Sequence, residues 1–299
     1  MKSLIMKKKR LIIAGVALVL LALIIWTAWG NTALELNTYT ISSNRLPEAF
    51  DGYRIAHVSD LHNAEIGEDN GKLLNMLREA EPDIIAITGD LIDSRHTDID
   101  VALQFVGEAM EIAPCYYVPG NHEARLSKSE YDKLENGLLD AGVIVLHDSE
   151  SILEYNGSAI SLIGIDDPNC YSASTNITIG EEYESKVGST MDPERIRELS
   201  TIDSFTVLLS HRPEYFEQYA EADVDLVLSG HAHGGQFRIP FFGGVVAPNQ
   251  GVFPKYDAGI FTEGNTNMVV SRGVGNSIIP FRVNNRPEVI IIELTTQGE

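Results

Sequence analysis

The chain of 299 residues is poor in cysteine and in positive charge. Cys115 and Cys170 are its two cysteines, which excludes a framework of several disulfide bonds and a zinc site built from thiolates. It has 22 basic residues against 43 acidic ones, and five of the basic residues lie in the first ten positions. Residues 11–299 therefore have a net charge of −26, and we expect no nucleic-acid partner, because such a surface repels a phosphate backbone.

A long apolar run follows the basic N-terminus. Residues 11–29 contain no charged side chain and end with Trp26 and Trp29. This length spans a bilayer as a helix, and tryptophan is typical of the membrane interface. A core helix would show a polar face, which this run lacks; a cleaved signal peptide stays open as an alternative, although the run is long for one. We predict a signal anchor at 11–29, with residues 1–10 cytoplasmic and the following chain outside the cell membrane.

The rest of the chain predicts a layered α/β fold, with a juxtamembrane segment at 30–50 and one catalytic domain at 51–299. Helices predicted at 72–80, 101–112 and 128–141 alternate with apolar strands at 53–59, 83–88, 115–118 and 143–146. Strands at 151–155, 159–164, 205–210, 226–229, 267–271 and 288–294 have fewer helices between them. They suggest a second, more antiparallel sheet packed on the first. The polar, turn-rich stretch 166–190 predicts a surface insertion or lid.

Polar residues follow five of these strands at the point where each strand ends. In layered α/β folds the carboxyl ends of strands open onto the binding crevice, so these residues should converge although they are distant in sequence. The predicted metal ligands are Asp60, His62, Asp90, Asn121, His211, His231 and His233, and His122 lies beside them as a non-ligand.

The composition of this ligand set indicates which metals it binds and how many. Imidazole and carboxylate without thiolate suit Zn, Mn or Fe better than calcium or magnesium. Seven ligands are too many for one catalytic ion, which must keep an open position. They suit two divalent ions that share a carboxylate, about 3.5–4 Å apart, as in two-metal hydrolases.

The motifs that carry these residues resemble those of the calcineurin-like metallophosphoesterase superfamily. They are Asp60-x-His62, Gly89-Asp90, Gly120-Asn121-His122-Glu123, His211 and Gly230-His231-x-His233, in this order. The runs GHAHGGQFRIPFFGG and SRGVGNSIIPFR look like its membrane-associated bacterial branch, the YkuE- and YaeI-like phosphodiesterases. The resemblance covers residues 53–294 and implies two mixed β-sheets packed as a sandwich and flanked by helices.

The resemblance also implies a division of roles within the site. One metal would be held by Asp60, His62, Asp90 and His233, and the other by Asp90, Asn121, His211 and His231, so that Asp90 bridges them. A water between the two ions would lose its proton near neutral pH and attack phosphorus in line. His122 would protonate the leaving oxygen or stabilise the transition state. The metal-binding tyrosine of purple acid phosphatases would fall at Asp93, so a tyrosinate site is not expected.

Several further residues have two open interpretations. Arg212 and Arg272 could clamp phosphate oxygens or pair with surface carboxylates. Glu123 could orient His122 or cap the following helix, and we favour the cap. The apolar run 237–246 could line an entrance for a lipid substrate or form an edge strand and turn.

The remaining histidines and the two cysteines have a structural interpretation. His57 lies inside a predicted strand and is expected in the core, whereas His96 and His147 belong to no motif and are interpreted as structural. A single disulfide between Cys115 and Cys170 is permitted outside the cell but not indicated.

The sequence thus predicts a membrane-anchored, two-metal phosphoesterase. Its substrate would contain a phosphodiester or pyrophosphate bond, for example in a membrane-associated glycolipid of the UDP-diacylglucosamine type. No obligate protein partner is expected. A soluble phosphomonoester is the alternative substrate. A non-catalytic binding module on the same scaffold is a further alternative, but such modules lose ligands or the histidine at position 122, and here all are present.

Overall fold

The computed structural model describes residues 2–170, 191–276 and 278–296. Residues 171–190, which make up most of the predicted insertion or lid, lie outside the described residues. The described helices are α1 (Lys2–Thr32), α2 (Gly71–Ala80), α3 (Ile99–Met110), α4 (Lys128–Asp140), α5 (Pro193–Leu199) and α6 (Phe216–Glu221).

Two sheets of six strands each form the centre of the fold. The first has the order β1 (Glu35–Ser43), β16 (Glu288–Thr296), β2 (Arg54–Val58), β3 (Ile84–Thr88), β4 (Cys115–Val118) and β5 (Ile144–Val145). The second has the order β14 (Gly259–Glu263), β15 (Thr266–Val270), β9 (Leu226–Ser229), β8 (Thr206–Leu209), β7 (Ser158–Gly164) and β6 (Ser149–Tyr155). Two strand pairs lie between β9 and β14 in sequence: β10 (Arg238–Ile239) with β11 (Gly243–Gly244), and β12 (Val246–Ala247) with β13 (Gly251–Val252).

The strands are apolar on both faces because each sheet is covered on both sides. In β3, Ile85 and Ile87 pack against α2, α3 and α4, whereas Ile84 and Ala86 face the second sheet. The outer face of the second sheet packs against α5 and α6, for example through Leu208. The molecule is therefore a sandwich of two mixed sheets flanked by helices, which confirms the predicted fold class.

Two strands lie where the sequence did not place them. β16 was predicted in the second sheet but lies in the first, between β1 and β2. Five successive residues of β16, from Glu288, are buried. Such a strand needs layers over both of its faces, and in the first sheet it also has a neighbouring strand on each side. β1 lies inside the stretch 30–50 that we expected to precede the catalytic domain, and it pairs in parallel with β16 along its full length.

The apolar run forms the greater part of α1, which is long and apolar enough to cross a membrane from Met6 to Thr32. Its apolar side chains are exposed along this span, whereas a core helix would bury them. The end of the helix is fixed to the domain, because Asn31 donates to the carbonyl oxygen of Arg282 (2.8 Å) and accepts from the Arg282 N–H (2.6 Å). These features indicate membrane anchoring through α1.

His147, interpreted as structural, joins α4 to the end of β7. Its Nδ1 lies 2.7 Å from the Asp166 carboxylate and its Nε2 lies 3.1 Å from that of Glu135. The hydrogen bond to Asp166 raises the pKa of His147 to about 9, from an ordinary value of 6.5. Because the folded pKa is higher than the unfolded one, this contribution to stability is complete below pH 6.5 and is lost as the pH rises through 9.

We expect the melting temperature to fall by about 2–6 °C between pH 6.5 and 9.5 through this histidine, since the side chain is partly exposed and solvent screens the pair. The His147→Gln variant should lose that part of the pH dependence. Thermal melts of both proteins, followed by near-ultraviolet circular dichroism, measure the difference. If the melting temperatures of the wild type and His147→Gln change equally with pH, His147 is neutral in the folded state.

Candidate metal centre

The predicted site residues converge at one edge of the sandwich. Asp60, Asp90 and Asn121 follow β2, β3 and β4 of the first sheet, whereas His211 and His231 follow β8 and β9 of the second. All seven predicted ligands and His122 are buried. The strand ends of both sheets therefore supply one site, as the sequence predicted.

The loops that carry these residues have an unusual backbone. Five of the predicted ligands have a positive φ between 47° and 65°: Asp60, His62, Asp90, His231 and His233. This conformation is costly for residues with a side chain and is found mainly at functional sites. Gly89 also has a positive φ of 84°, and a Cβ there would lie 2.6 Å from the backbone nitrogen of Gly120. Glycine at these two positions lets the loops after β3 and β4 approach each other.

Asp60, His62 and His233 form the first group of possible ligand atoms. His62 Nε2 lies 3.2 Å from His233 Nε2 and 3.7 Å from Asp60 Oδ1. His233 Nε2 lies 3.4 Å from the same carboxylate oxygen. Three donors this close together, two of them nitrogens that face each other, can hold one metal ion.

The second group consists of Asp90, His211 and His231. Asp90 lies between the two groups, because its Oδ2 is 3.2 Å from His211 Nε2 and 3.6 Å from His62 Nε2. Its other oxygen, Oδ1, accepts a hydrogen bond of 2.8 Å from the His122 N–H. One carboxylate thus faces both groups, which is the arrangement that two neighbouring ions require.

Unpaired atoms in this cluster test whether a metal fits. His211 Nδ1 donates to the carbonyl oxygen of Thr88 (2.7 Å), which leaves a lone pair on Nε2 of the neutral ring. Asn121 Oδ1 is buried without a hydrogen-bond partner among the described residues, and with Nδ1 as the donor His211 Nε2 turns its lone pair towards another acceptor, Asp90 Oδ2, at 3.2 Å. Buried lone pairs without a donor are costly, so the donor set fits metal ions.

His122 lies beside the ligand groups with its ring edge-on to that of His62, at a centroid distance of 4.5 Å. The Ser94 N–H donates to His122 Nδ1 (3.0 Å), which leaves the proton of the neutral imidazole on Nε2. Burial lowers the pKa of His122 to about 4, so the ring is neutral at pH 7. The side chain can therefore donate a hydrogen bond through Nε2.

The structure places the two predicted arginines differently. Arg212 lines the cavity of about 250 Å³ that opens beside Asp90 and His122, but its guanidinium is paired with Asp167 and lies 3.2 Å from His231 Nε2. Arg212 is therefore buried against His231, one of the predicted ligands, and it also forms part of the cavity wall.

Arg272 lines a different cleft and pairs with carboxylates, which is the second of its two interpretations. Its guanidinium binds Glu35 (2.9 Å) and Glu288 (2.7 Å), and the cleft also contains Trp26 and Trp29 of α1. Two carboxylates from β1 and β16 hold it there, an arrangement that depends on strand positions the sequence did not reveal.

Arg125 is a cavity residue that the sequence analysis missed. It ends the short helix Glu123–Arg125, is exposed, and lines the same cavity as Asp90 and His122. Its position three residues after His122 could have revealed it, since one helical turn brings both residues to the same side.

Glu123 has a role that neither sequence interpretation anticipated. Its carboxylate accepts hydrogen bonds from the backbone N–H groups of Gly120 (2.8 Å), Asp90 (2.8 Å) and Ile92 (3.3 Å). It therefore ties the loop after β3 to the loop after β4, and does not cap the following helix as we favoured. Burial and the charge of Asp90 raise the pKa of Glu123 to about 7, while the two closest N–H groups favour its charged form.

We expect the Glu123→Gln variant to lose about 2–4 kcal/mol of stability, because the amide cannot accept from three N–H donors and turns its own NH₂ group towards one of them. Metal affinity should fall by about 10–100-fold, since the loops that carry Asp90 and Asn121 are no longer held together. Chemical denaturation and a titration with Zn²⁺ measure the two effects. If the destabilised variant binds Zn²⁺ with unchanged affinity, Glu123 stabilises the fold but does not position the metal ligands.

The remaining histidines agree with their structural interpretation. His57 is fully buried in β2, where its Nε2 lies 2.8 Å from Thr88 Oγ1, and burial lowers its pKa to about 3. His96 belongs to none of the metal-type groups found among the described residues. Cys115 and Cys170 are both free thiols, so the permitted disulfide does not form.

A two-sheet α/β sandwich with two groups of His and Asp side chains around a shared carboxylate defines a metal-dependent hydrolase of phosphoric esters. The chain belongs to the calcineurin-like phosphoesterase family, because residues 53–235, more than half of its length, match the model of that family. The family assigned from the five motifs is thereby confirmed. Members of this family normally bind two divalent metals.

Three relatives illustrate the family membership. Metallophosphoesterase YkuE of Bacillus subtilis (strain 168) is 29% identical over 270 residues, which cover 87% of this chain and 85% of that protein. Phosphodiesterase YaeI of Escherichia coli (strain K12) is 27% identical over 222 residues, or 72% of each chain. A transmembrane protein with metallophosphoesterase domain of Danio rerio is 28% identical over 265 residues, which cover 85% of this chain and 56% of that protein.

Proposed function

We propose that this chain is a membrane-anchored phosphodiesterase with a dinuclear metal centre. One divalent ion is held by Asp60, His62, Asp90 and His233, and the other by Asp90, Asn121, His211 and His231. The observation that carries this proposal is the position of Asp90 Oδ2, within 3.6 Å of a histidine nitrogen from each group. Zn, Mn and Fe are the ions that suit this mixture of imidazole, carboxylate and amide.

The metal ions, when bound, supply charge neutralisation for the phosphate oxygens and lower the pKa of the attacking water. The protein residues supply position and hydrogen bonds. His122 donates a hydrogen bond from Nε2 to the leaving oxygen or to a phosphate oxygen and keeps its proton, and Ser94 holds the ring in that tautomer. Arg125, exposed at the cavity wall, attracts the anionic substrate, whereas Arg212 lines the cavity with its charge balanced by Asp167.

The orientation of α1 and the substrate class complete the proposal. The basic residues before position 11 place the N-terminus in the cytoplasm and the catalytic domain outside, with a single pass through the cell membrane. The preferred substrate is a phosphodiester or pyrophosphate in a membrane-associated molecule, such as a nucleotide-linked glycolipid of the UDP-diacylglucosamine type. The names of the relatives YaeI and the Danio rerio protein support a diester bond and a membrane location.

A metal-reconstitution assay tests this function. The full chain in detergent is stripped with a chelator, reloaded with Mn²⁺, Zn²⁺ or Fe²⁺, and assayed with bis-p-nitrophenyl phosphate, p-nitrophenyl phosphate and a UDP-linked lipid. We expect no turnover without metal, and faster turnover of the diesters than of the monoester with two ions bound. Faster monoester cleavage would favour a phosphomonoesterase, and no turnover of any substrate by the loaded protein would favour a binding module.

A further inference from the structure

A cluster of exposed apolar side chains lies outside α1. Among the described residues beyond α1, seven large apolar side chains are about half exposed or more, and Leu139 on α4 is one of them. The other six, which we call the apolar rim, are Phe241, Phe242, Val252, Phe253, Ile278 and Phe281. Phe241 is fully exposed, and Phe242 and Ile278 are 75% and 71% exposed. Such a concentration marks an interaction surface rather than ordinary surface composition.

Backbone hydrogen bonds join the segments of the apolar rim. Phe253 N–H donates to Val245 (2.8 Å), and Val245 N–H donates to Phe237 (2.8 Å). The Phe237 ring in turn packs against that of Phe281 at a centroid distance of 5.5 Å. These contacts join the segments that carry Phe253 and Phe281.

The same surface continues to the end of the membrane helix. Arg282, next to Phe281, exchanges two hydrogen bonds with Asn31. Arg286 donates to the carbonyl oxygen of Ala33 (2.8 Å), directly after α1, and its guanidinium lies 5.1 Å from the ring of Trp29. The rim thus adjoins the level at which α1 leaves the apolar layer, since tryptophan and arginine are typical of that interface.

Charge around the rim suits a bilayer surface. No acidic residue occurs in 226–256 or in 264–287, the two stretches that contain all six rim residues, although the chain has 43 acidic residues. These stretches contain several arginines and Lys255. Carboxylates from outside these stretches balance the basic residues, since Arg238 lies 2.9 Å from Asp257 and Lys255 lies 3.1 Å from Glu217. The charge near the rim is therefore locally balanced, which limits repulsion by anionic lipid headgroups.

The apolar rim also borders the metal centre. Ile278 lines the cavity that contains Asp90 and His122, together with Pro248 and Asn249 in the turn between β12 and β13. A phosphate carried by a lipid could therefore enter the cavity along the rim without its acyl chains crossing water.

We propose that the apolar rim inserts into the headgroup region of the bilayer that α1 spans, so that the metal centre opens towards lipid-borne phosphates. This inference rests on the proposed membrane-anchored function and extends it from an anchor helix to a second membrane contact. The occupant of the rim is the lipid bilayer, because Arg282 and Arg286 connect the rim to the end of the anchor helix.

Depth-dependent fluorescence quenching tests the insertion. The full chain is reconstituted into liposomes of phosphatidylcholine and phosphatidylglycerol, with and without phosphatidylcholine brominated near the top of one acyl chain. The wild type gives the emission of Trp26 and Trp29, against which the emission added by each new tryptophan is measured. We expect the emission added by Phe241→Trp to be quenched by about half or more, as for a side chain at the headgroup boundary. The emission added by the matched control, Leu139→Trp, should not change.

A second variant keeps the test specific to the rim. Adding Phe242→Ser and Phe253→Ser to Phe241→Trp removes two neighbouring aromatic anchors, and the quenching should then fall severalfold. Far-ultraviolet circular dichroism and a thermal melt, measured on each variant, report that the fold is intact, and hydrolysis of bis-p-nitrophenyl phosphate is recorded separately.

The outcomes separate this inference from the proposed catalytic function. Equal quenching at positions 241 and 139 overturns the insertion. Unquenched added emission from Phe241→Trp, in a protein that cross-links as a dimer, also overturns it, since a second copy then covers the rim. Quenching restricted to the rim in a protein that hydrolyses no phosphoester supports the insertion and overturns the proposed catalysis.

Discussion

Asp90→Ala is expected to lose both metal ions and to reduce turnover by about a thousandfold or more. Asp90 is the carboxylate whose Oδ2 lies between the two histidine groups, so its removal takes a ligand from each ion at once. Its Oδ1 also accepts from the His122 N–H, and the loop after β4 would lose that hydrogen bond. Metal content measured by mass spectrometry, together with bis-p-nitrophenyl phosphate hydrolysis, gives the two readouts.

Asp93→Asn is the matched control for this variant. Asp93 is a carboxylate on the same loop, whose Oδ1 lies 3.5 Å from His122 Nδ1 and whose Oδ2 accepts from Arg95 Nη2 at 2.8 Å. Because it also forms a group with His62 and His122, the control is read by metal content and not by rate. Burial raises the pKa of Asp93, yet the hydrogen bonds from Arg95 outweigh it and lower the pKa to about 2. The control should retain both ions. An Asp90→Ala protein that still binds two ions would contradict the bridging role.

His122→Ala is expected to keep both metals and to lose about 10²–10⁴-fold in kcat. The ring contributes no atom to the proposed ligand sets, and the nitrogen that faces Ser94 is already an acceptor. Since burial lowers the pKa of His122 to about 4, the neutral ring predominates throughout the range from pH 6 to 9. The loss in kcat should therefore be uniform over that range, with no shift of either limb of the pH profile.

Rate and metal content must be measured on the same preparation of this variant. His122→Gln, which restores a donor of similar reach, should recover part of the rate. Full turnover of His122→Ala would exclude a direct role, and loss of metal from it would place His122 among the ligands.

The sequence was most informative where apolar runs end in polar residues. In β3, five buried residues precede Gly89 and Asp90, and such a transition is local, so it is visible without the fold. The convergence of His211 with Asp90 followed from the general geometry of strand ends, and the structure places both in one site. Fold class and the grouping of the candidate ligands could therefore be anticipated.

Long-range pairing was not visible in the same way. β1 and β16 pair although Glu35 and Glu288 are at opposite ends of the chain, and nothing local in either strand encodes its partner. The position of Arg272 depends on these two glutamates, which is why the sequence left its two interpretations open. Glu123 accepts hydrogen bonds from three backbone N–H groups. Every residue except proline has such a group, so the sequence does not reveal these partners.

The connection between α1 and the first sheet limits how far the enzyme can reach. α1 ends at Thr32 and β1 begins at Glu35, so two residues separate them, and two residues span about 7 Å at most. β1 pairs with β16, which in turn pairs with β2, the strand that leads into Asp60. With α1 in a bilayer, as we propose, this connection and the sheet would hold the metal centre at a nearly fixed height. The site would then meet phosphates within a thin layer parallel to the membrane.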